Sequence, residues 1–536
     1  MSITPRPAPA TTDIPASPPI PRGRAALSGV VAAAAALATG EIVAGLLPGA
    51  PSPLAAVGSA VIDFAPPGSK ELMVSLFGTA DKLALGVLIT AVVLLAGAVI
   101  GLVARRSLFP AAVGIAAIAA IGALAGLRSP AAGPVLTLLS AALEAAVGIA
   151  VLVFLLEAAE VKSGDPASGR RGFLVRAGAL GALAVVGGGF GRAALEGRAT
   201  ANVASAGGIG AVPGATAAPF PDVVDPAPTP PPDASLAVDG ITPLVIANDA
   251  FYRIDTALFT PSVDVATWKL RVHGMVDREV TLSMSDLLEL PLIERYVTIA
   301  CVSNLIGGNL VGNAKWTGVR LSDVLGMAGV QAGATQVVPR SVDGWTAGFP
   351  TAWITDPAHP RDALIALRMN DQPLPAEHGF PARLIVPGLF GYVSATKWLS
   401  ELELTTLEAF DAYWVPRGWA KEAPILTQSR IDTPRRDSSL QPGPVPVAGV
   451  AWAPDRGISK VEVNVDGGDL WQEATLATAI GPQTWVQWRW TWQATSGDHT
   501  IHVRATDGTG EVQTAEFSSP DPDGARGHHE VSVKVA

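Results

Sequence analysis

A chain of 536 residues carries one cysteine, Cys301, within Tyr296-Val-Thr-Ile-Ala-Cys301-Val-Ser-Asn-Leu-Ile-Gly-Gly-Asn309. With no second thiol, an intramolecular disulfide is excluded. The β-branched run at 297–299 predicts a strand that delivers Cys301 to a Ser/Asn/Gly-rich loop, a common way for a scaffold to present one side chain to a pocket. Position alone leaves three jobs open: small core residue, nucleophile or metal ligand. A nucleophile needs a base, and chain order does not tell whether His273, His359 or His378 comes near. A thiolate that is the sole protein ligand suits a soft metal whose other ligands belong to an organic cofactor.

Further groups able to do chemistry lie in separate stretches. They are Asn248-Asp-Ala-Phe-Tyr-Arg253, Asp343 in Ser341-Val-Asp-Gly344, His378-Gly-Phe-Pro-Ala-Arg383-Leu-Ile-Val-Pro-Gly388, and Ser394-Ala-Thr-Lys-Trp398. Each has a plain alternative: Arg253 and Arg383 as surface ion pairs, His378 as a satisfied structural histidine, Asn248 as a turn residue. Taken in order with Cys301-Val-Ser-Asn304 and Trp316-Thr-Gly-Val-Arg-Leu-Ser-Asp-Val-Leu325, they resemble the sulfite oxidase superfamily of molybdopterin enzymes, from about residue 241 to the C-terminus. The resemblance implies a molybdenum-molybdopterin cofactor, with Cys301 as metal ligand. It also implies that Asn248, Phe251, Tyr252, Arg253, Asp343, His378, Arg383, Thr396 and Lys397 hold that cofactor. Arg253 joins Cys301 as a catalytic candidate. Cationic donors suit a phosphate, and amide and hydroxyl groups suit a pterin.

Two departures from the family bear on substrate. Sulfite oxidases follow their cysteine with an Ala-Gly-Asn-Arg-Arg run whose arginine helps bind the anion, where this chain has Val302-Ser-Asn-Leu305-Ile306. The family's active-site tyrosine corresponds to Trp345, ahead of Gly348-Phe-Pro350, and an indole N–H is a weaker acid than a phenol. Both changes argue against sulfite and leave the direction of oxygen transfer open, since the family also includes bacterial sulfoxide reductases.

The elements that must position these residues divide the chain. Its first two hundred residues or so are rich in Ala, Leu, Val and Gly, and contain none of the seven histidines. Apolar runs near 25–47, 83–103, 108–127, 135–159 and 173–191 are long enough to cross a bilayer. Arg22, Arg24, Arg105, Arg106, Lys162, Arg170 and Arg171 fall on one side of such a bundle, against Lys70, Lys82 and Arg128; this predicts a cytoplasmic N-terminus and an extracytoplasmic C-terminal half, in a bacterial cytoplasmic membrane. Ser168-Gly-Arg170-Arg171-Gly-Phe173-Leu174 also resembles a twin-arginine export signal. Without histidine the spans cannot hold a bis-histidine haem, and one cysteine cannot hold an Fe–S cluster. Electrons must therefore pass to a separate partner or a quinone. Glu144, inside the fourth run, is a functional candidate by virtue of its place. The net charge of −10 argues against nucleic acid.

The expected fold is multidomain: a cytoplasmic, disordered 1–24; transmembrane α-helices over 25–195; an Ala/Pro-rich tether over 196–240; an α+β sulfite-oxidase-like molybdopterin domain over 241–410; and an immunoglobulin-like β-sandwich over 411–536. Ser283 or Ser285 caps a helix near 283–290, and Ser322 with Asp323 caps another near 321–328. Alternating strands with Asp/Gly turns predict the sandwich. Val486, Trp488, Trp490 and Trp492 share one strand face, read as core or subunit interface rather than ligand platform; in the resembled family this module mediates homodimerisation. The expected function is membrane-anchored two-electron oxygen-atom transfer on a small S- or N-oxo compound. The alternative is a tethered, non-catalytic binding or scaffold protein that keeps the fold.

Overall fold

The computed structural model describes residues 20–66, 76–77, 81–130, 132–160, 166–205, 220–356 and 361–536. Residues 1–19 of the stretch expected to be disordered over 1–24, the charges Lys70 and Lys162, and His359 lie outside them; Arg22 to Arg24 of that stretch are helical. Two compact units divide the chain, Met1–Leu195 and Glu196–Ala536.

In the first unit, helices Arg22–Leu46, Asp81–Ala104, Leu108–Gly126 and Pro134–Ala159 coincide with expected apolar runs. A fifth helix, Pro166–Ser205, contains the last run and extends beyond it. Among the described residues, five helices are long and apolar enough to cross a membrane. A shorter apolar helix, Pro53–Phe64, starts at an N-cap on Ser52 and was not foreseen. Glycine lets two of the long helices touch backbone to backbone: a Cβ on Gly29 would strike Gly97 and Gly101 of the neighbouring helix, the small-residue spacing that suits apolar helix pairs. Among the described residues of this unit, two acids are buried. Glu41 accepts from Ser52 Oγ at 2.6 Å and from Leu54 N at 3.2 Å, and Glu144 accepts from Ser140 Oγ at 2.9 Å.

The second unit opens with two mixed sheets. One runs Val223–Asp225, Leu292–Ala300, Val311–Arg320, Leu364–Met369, Arg383–Ile385; the other runs Val280–Ser283, Lys269–Gly274, Leu399–Thr405, Gln336–Ser341, Phe349–Pro350. The strand predicted to deliver Cys301 is real. It pairs antiparallel with Val311–Arg320, and Ala300 lies opposite Val311, so the cysteine loop is the turn of this hairpin. Ser283 caps helix Met284–Leu288 in a reciprocal pair with Asp286. Helix Leu321–Ala328 is not capped by Ser322 as expected. Its N-cap is Arg320, without a side-chain cap, because the preceding strand runs straight into the helix and Arg320 is engaged with Asp225 and Asp362.

The tether expectation needs correction over 220–240. Val223–Asp225 adds a parallel strand beside Leu292–Ala300, held there by Asp225 Oδ2 accepting from Arg295 Nη2 at 2.6 Å. Leu236 N donates to Gln487 Oε1 at 2.6 Å. The C-terminal part is a sandwich of a four-stranded and a five-stranded sheet. Trp488 and Trp492 fill its core, with Trp490 packed against it. The expected boundary near 410 does not divide the apolar interior: Val450, Trp452 and Trp485 belong to the same core as Trp316 and Ile365.

Candidate functional site

Cys301 is half-buried at the end of its strand. Its amide donates to Leu310 O at 2.9 Å, its carbonyl accepts from Asn304 N at 3.1 Å, and its sulfur lies 3.0 Å from Ser303 Oγ. Buried Asn304 closes the turn by accepting from Leu310 N at 2.8 Å. Tyr252 approaches from the stretch 248–253, stacked on Phe251 with ring centroids 5.2 Å apart. Burial pushes its phenol above its ordinary range; the Cys301 sulfur adds to that shift and the Arg383 guanidinium opposes it. Phe251 meets both Trp316 and His378 edge-on, and Gly312 leaves room for its ring, since a Cβ there would strike it.

The His/Arg/Lys group is assembled by the turn 376–379 and the strand Arg383–Ile385. Gly379 has φ +114, and a Cβ on it would press on Lys397 and Arg383 at 2.9 to 3.0 Å, so glycine is what lets these residues close up. His378 is 2% exposed. Its Nε2 donates to Asn248 O at 2.8 Å, which fixes the proton on Nε2 and leaves Nδ1 as an acceptor. Burial, helped by Arg383, lowers its pKa to about 4, so the ring is neutral. Arg383 is 3% exposed and donates to His378 O at 3.0 Å and Ala395 O at 3.4 Å, over the face of Trp316 at 5.0 Å. Among the described residues it has no carboxylate partner, and burial brings its pKa down to about 10 against the effect of Tyr252.

Lys397 donates to Asp255 Oδ2 at 3.0 Å and Glu377 O at 2.8 Å; burial pulls it down to about 8, with Asp255 opposing. Arg253 is exposed and donates to the same Asp255 at 3.1 Å. Asp343 accepts from Trp345 N at 3.1 Å. Burial raises its carboxyl, the Ser341 hydroxyl and Trp345 amide oppose, and Asp255 adds repulsion.

Four buried polar atoms here lack a hydrogen-bond partner among the described residues: Asn304 Nδ2 in the cysteine turn, and His378 Nδ1, Arg383 Nε and Thr396 Oγ1 in the cationic group. Thr396 is next to Lys397, and its carbonyl accepts from Leu384 N at 2.8 Å. Folded proteins seldom leave such groups unmet, and a buried guanidinium without a carboxylate calls for an anion. The donor set is what an anionic, hydrogen-bonding cofactor requires. Asn248 takes a different part. Its side-chain amide is committed to Met369 O, Gln372 Oε1 and Asn370 Nδ2, so it braces the neighbouring turn while its carbonyl holds His378.

Residues not foreseen complete the picture. Asp255, two positions beyond Arg253, joins Arg253 to Lys397, and opposite charge at that spacing was a readable signal. Trp316 was read only as part of a motif, and nothing local announces its stacking with Arg383. Arg430 and His529, from the sandwich, reach the cysteine loop across more than a hundred positions.

Residues 257–414 match the family described as oxidoreductase molybdopterin binding domain, and 428–503 match the bacterial Ig domain family. The chain is 31% identical over 287 residues to mitochondrial sulfite oxidase of Homo sapiens, covering 46% of this chain and 51% of that one. It is 28% identical over 318 residues to the NADH nitrate reductase of Ulva prolifera, covering 48% of this chain and 36% of that one. The crystal structure of sulfane dehydrogenase SoxCD from Paracoccus pantotrophus aligns with a TM-score of 0.47 at 22% identity, over 56% of this chain and 83% of that one. The chain spans about half the length of the mammalian sulfite oxidases it matches. With the donor set above, the sequence likenesses show that residues 257–414 are an oxidoreductase molybdopterin binding domain, similar to that of the sulfite oxidases, whose cofactor is molybdenum-molybdopterin.

Proposed function

We propose that this protein is a membrane-anchored enzyme of two-electron oxygen-atom transfer, acting on a small, uncharged S- or N-oxo compound outside the cytoplasmic membrane. The observation that carries the reading is the set of unpartnered buried atoms on His378, Arg383 and Thr396, which a non-catalytic scaffold would have no reason to keep.

Molybdenum-molybdopterin, when bound, supplies oxygen-atom transfer coupled to two electrons. The chain's own residues would divide the remaining work. Arg383 and Lys397 offer cationic N–H groups to a phosphate, Thr396 a hydroxyl, and His378 Nδ1 an acceptor for a pterin N–H. Cys301 offers the thiolate, and Ser303 can donate a hydrogen bond to the sulfur. The Tyr252 phenol, raised by burial and by the Cys301 sulfur, offers a proton where Trp345 cannot. Phe251, Asn248 and Asp343 shape and orient these groups.

The preference for an uncharged substrate rests on charge. Arg253 is already paired with Asp255, and the position after Asn304 is Leu305, 62% exposed and apolar. A dianion would find little to neutralise it. The five apolar helices support the anchor, and Arg170 and Arg171 support export; a separate electron carrier or quinone, and a homodimer through the sandwich, complete the proposal.

The test is molybdenum per polypeptide on protein made in a host that synthesises molybdopterin, followed by turnover of sulfoxides, N-oxides and sulfite. About one metal per chain, with kcat/KM for a sulfoxide or N-oxide well above that for sulfite, is expected. A folded sample without molybdenum would sink the cofactor reading, and sulfite as the best substrate would sink the substrate reading.

A further inference from the structure

The cysteine loop is held from outside its own domain, on both sides of Cys301. Ahead of it, Thr298 N donates to Gln483 O at 2.9 Å, and Trp485 N donates back to Thr298 Oγ1 at 2.8 Å. Beyond it, Arg430 Nη1 donates to Gly308 O at 2.7 Å. The same guanidinium donates to Thr242 Oγ1 at 2.8 Å and to Asp432 Oδ1 at 2.7 Å, and Asp432 Oδ2 accepts from Thr242 N at 2.9 Å. Arg430 is 8% exposed, and the network that holds its Nε and Nη2 points Nη1 at the loop.

His529, from the final strand His529–Val535, packs against Gly307 so closely that a Cβ on Gly307 would land on its ring. Its Nδ1 accepts from Ile431 N at 3.0 Å, which puts the proton on Nε2. Between these anchors the loop is short and internally closed: Asn304 Oδ1 accepts from Leu310 N, Gly308 N donates to Leu305 O, and Cys301 N donates to Leu310 O. A displacement imposed at Gly307 and Gly308 has no slack to absorb it before Cys301.

We propose that the C-terminal sandwich is a positioning element for the metal ligand, with Gln483 and Trp485 before Cys301 and Arg430 and His529 after it setting where the sulfur sits. The proposal rests on Cys301 being the protein ligand of the metal. It gives the sandwich a role in the site that does not depend on a second copy of the chain. The residues act through the loop's backbone rather than on substrate.

Because Cys301 is the sole cysteine, its alkylation by iodoacetamide reports this loop without interference. The measurement uses the full chain purified from a host unable to make molybdopterin. Arg430→Gln and His529→Asn are compared with Val461→Ala, a change in the sandwich core. Asn at 529 can still accept from Ile431 N, so that variant keeps the strand pairing and remains informative if Arg430→Gln does not fold. The positioning variants are expected to alkylate several-fold faster than the parent, with Val461→Ala at the parent rate. In the loaded enzyme the same two variants should shift the electron paramagnetic resonance of the one-electron-reduced metal, with molybdenum content unchanged. Parent-like alkylation in both positioning variants, or equal acceleration in Val461→Ala, would overturn the proposal. Failure of the ligand assignment would show separately, as molybdenum missing from the parent chain.

Discussion

The surroundings of Cys301, rather than its being a cysteine, make it the candidate ligand. A lone half-buried thiol is usually inert, yet this one ends a strand in a braced turn, close enough to Tyr252 to help raise that phenol. Cys301→Ser keeps volume and polarity but is a much poorer ligand for a soft metal. It should leave the fold intact, as far-ultraviolet circular dichroism would record, and abolish turnover; retained activity would remove the ligand assignment. Histidines carry the second prediction at this scale. His378 and His529 are both held down to about 4 by burial, against 6.5 in an unfolded chain. Above that unfolded value neither state takes up the proton, so their contribution to stability is complete. As pH falls from 6.5 towards 4 the unfolded chain gains protons that the folded one refuses, and stability drops, by at most about 3 kcal/mol per histidine. Urea midpoints followed by tryptophan fluorescence should fall between pH 7 and pH 5, and His529→Asn should flatten that slope. Residue identities were largely legible in the chain; their pairings, such as Asp255 between Arg253 and Lys397, depended on where loops meet.

At the scale of elements, the turn 376–379 decides whether the cationic group can assemble. Gly379 combines φ +114 with contacts that no Cβ could keep, and strain of this kind is worth roughly 1–3 kcal/mol. Gly379→Ala should therefore lower molybdenum content by pushing Lys397 and Arg383 apart, with a smaller effect on melting temperature than on metal loading; an unchanged metal content would show that the turn tolerates the shift. The hairpin that presents Cys301 was readable because β-branched residues run into a Gly/Asn-rich loop. Helix Leu321–Ala328 was readable by its apolar spacing, but its cap was not, since Arg320 was drawn into ion pairs with distant acids. The strand Val223–Asp225 was hidden for a related reason: three residues make no periodicity, and what holds them is the guanidinium of Arg295.

At the scale of the whole molecule, the molybdopterin-binding segment and the sandwich share an interior. Trp485 is fully buried in the core that also contains Trp316, and its indole donates to Leu244 O at 2.8 Å. A chain cut after Phe410 would lose Trp452 and Trp485 from that core and expose its inner face. It is expected to be insoluble or molten, as loss of near-ultraviolet dichroism would show; a folded, cofactor-loaded fragment would prove the sandwich dispensable. Trp485→Ala in the intact chain should cost about 3–5 kcal/mol, read from the urea midpoint.

The chain by itself determined what depends on local pattern and composition: apolar runs of bilayer length, an α+β segment, a sandwich with its tryptophan face inward, one possible thiolate, and the residue types able to meet a phosphate and a pterin. Those properties are written in periodicity and side-chain chemistry, which need no partner to be recognised. Only the tertiary structure decided which candidates converge, that Asn248 braces a turn, and that Arg383 is buried without a carboxylate partner among the described residues. It alone showed that two residues of the last domain grip the loop of the first. Such facts come from contacts between segments far apart in sequence, and neither propensity nor spacing records them.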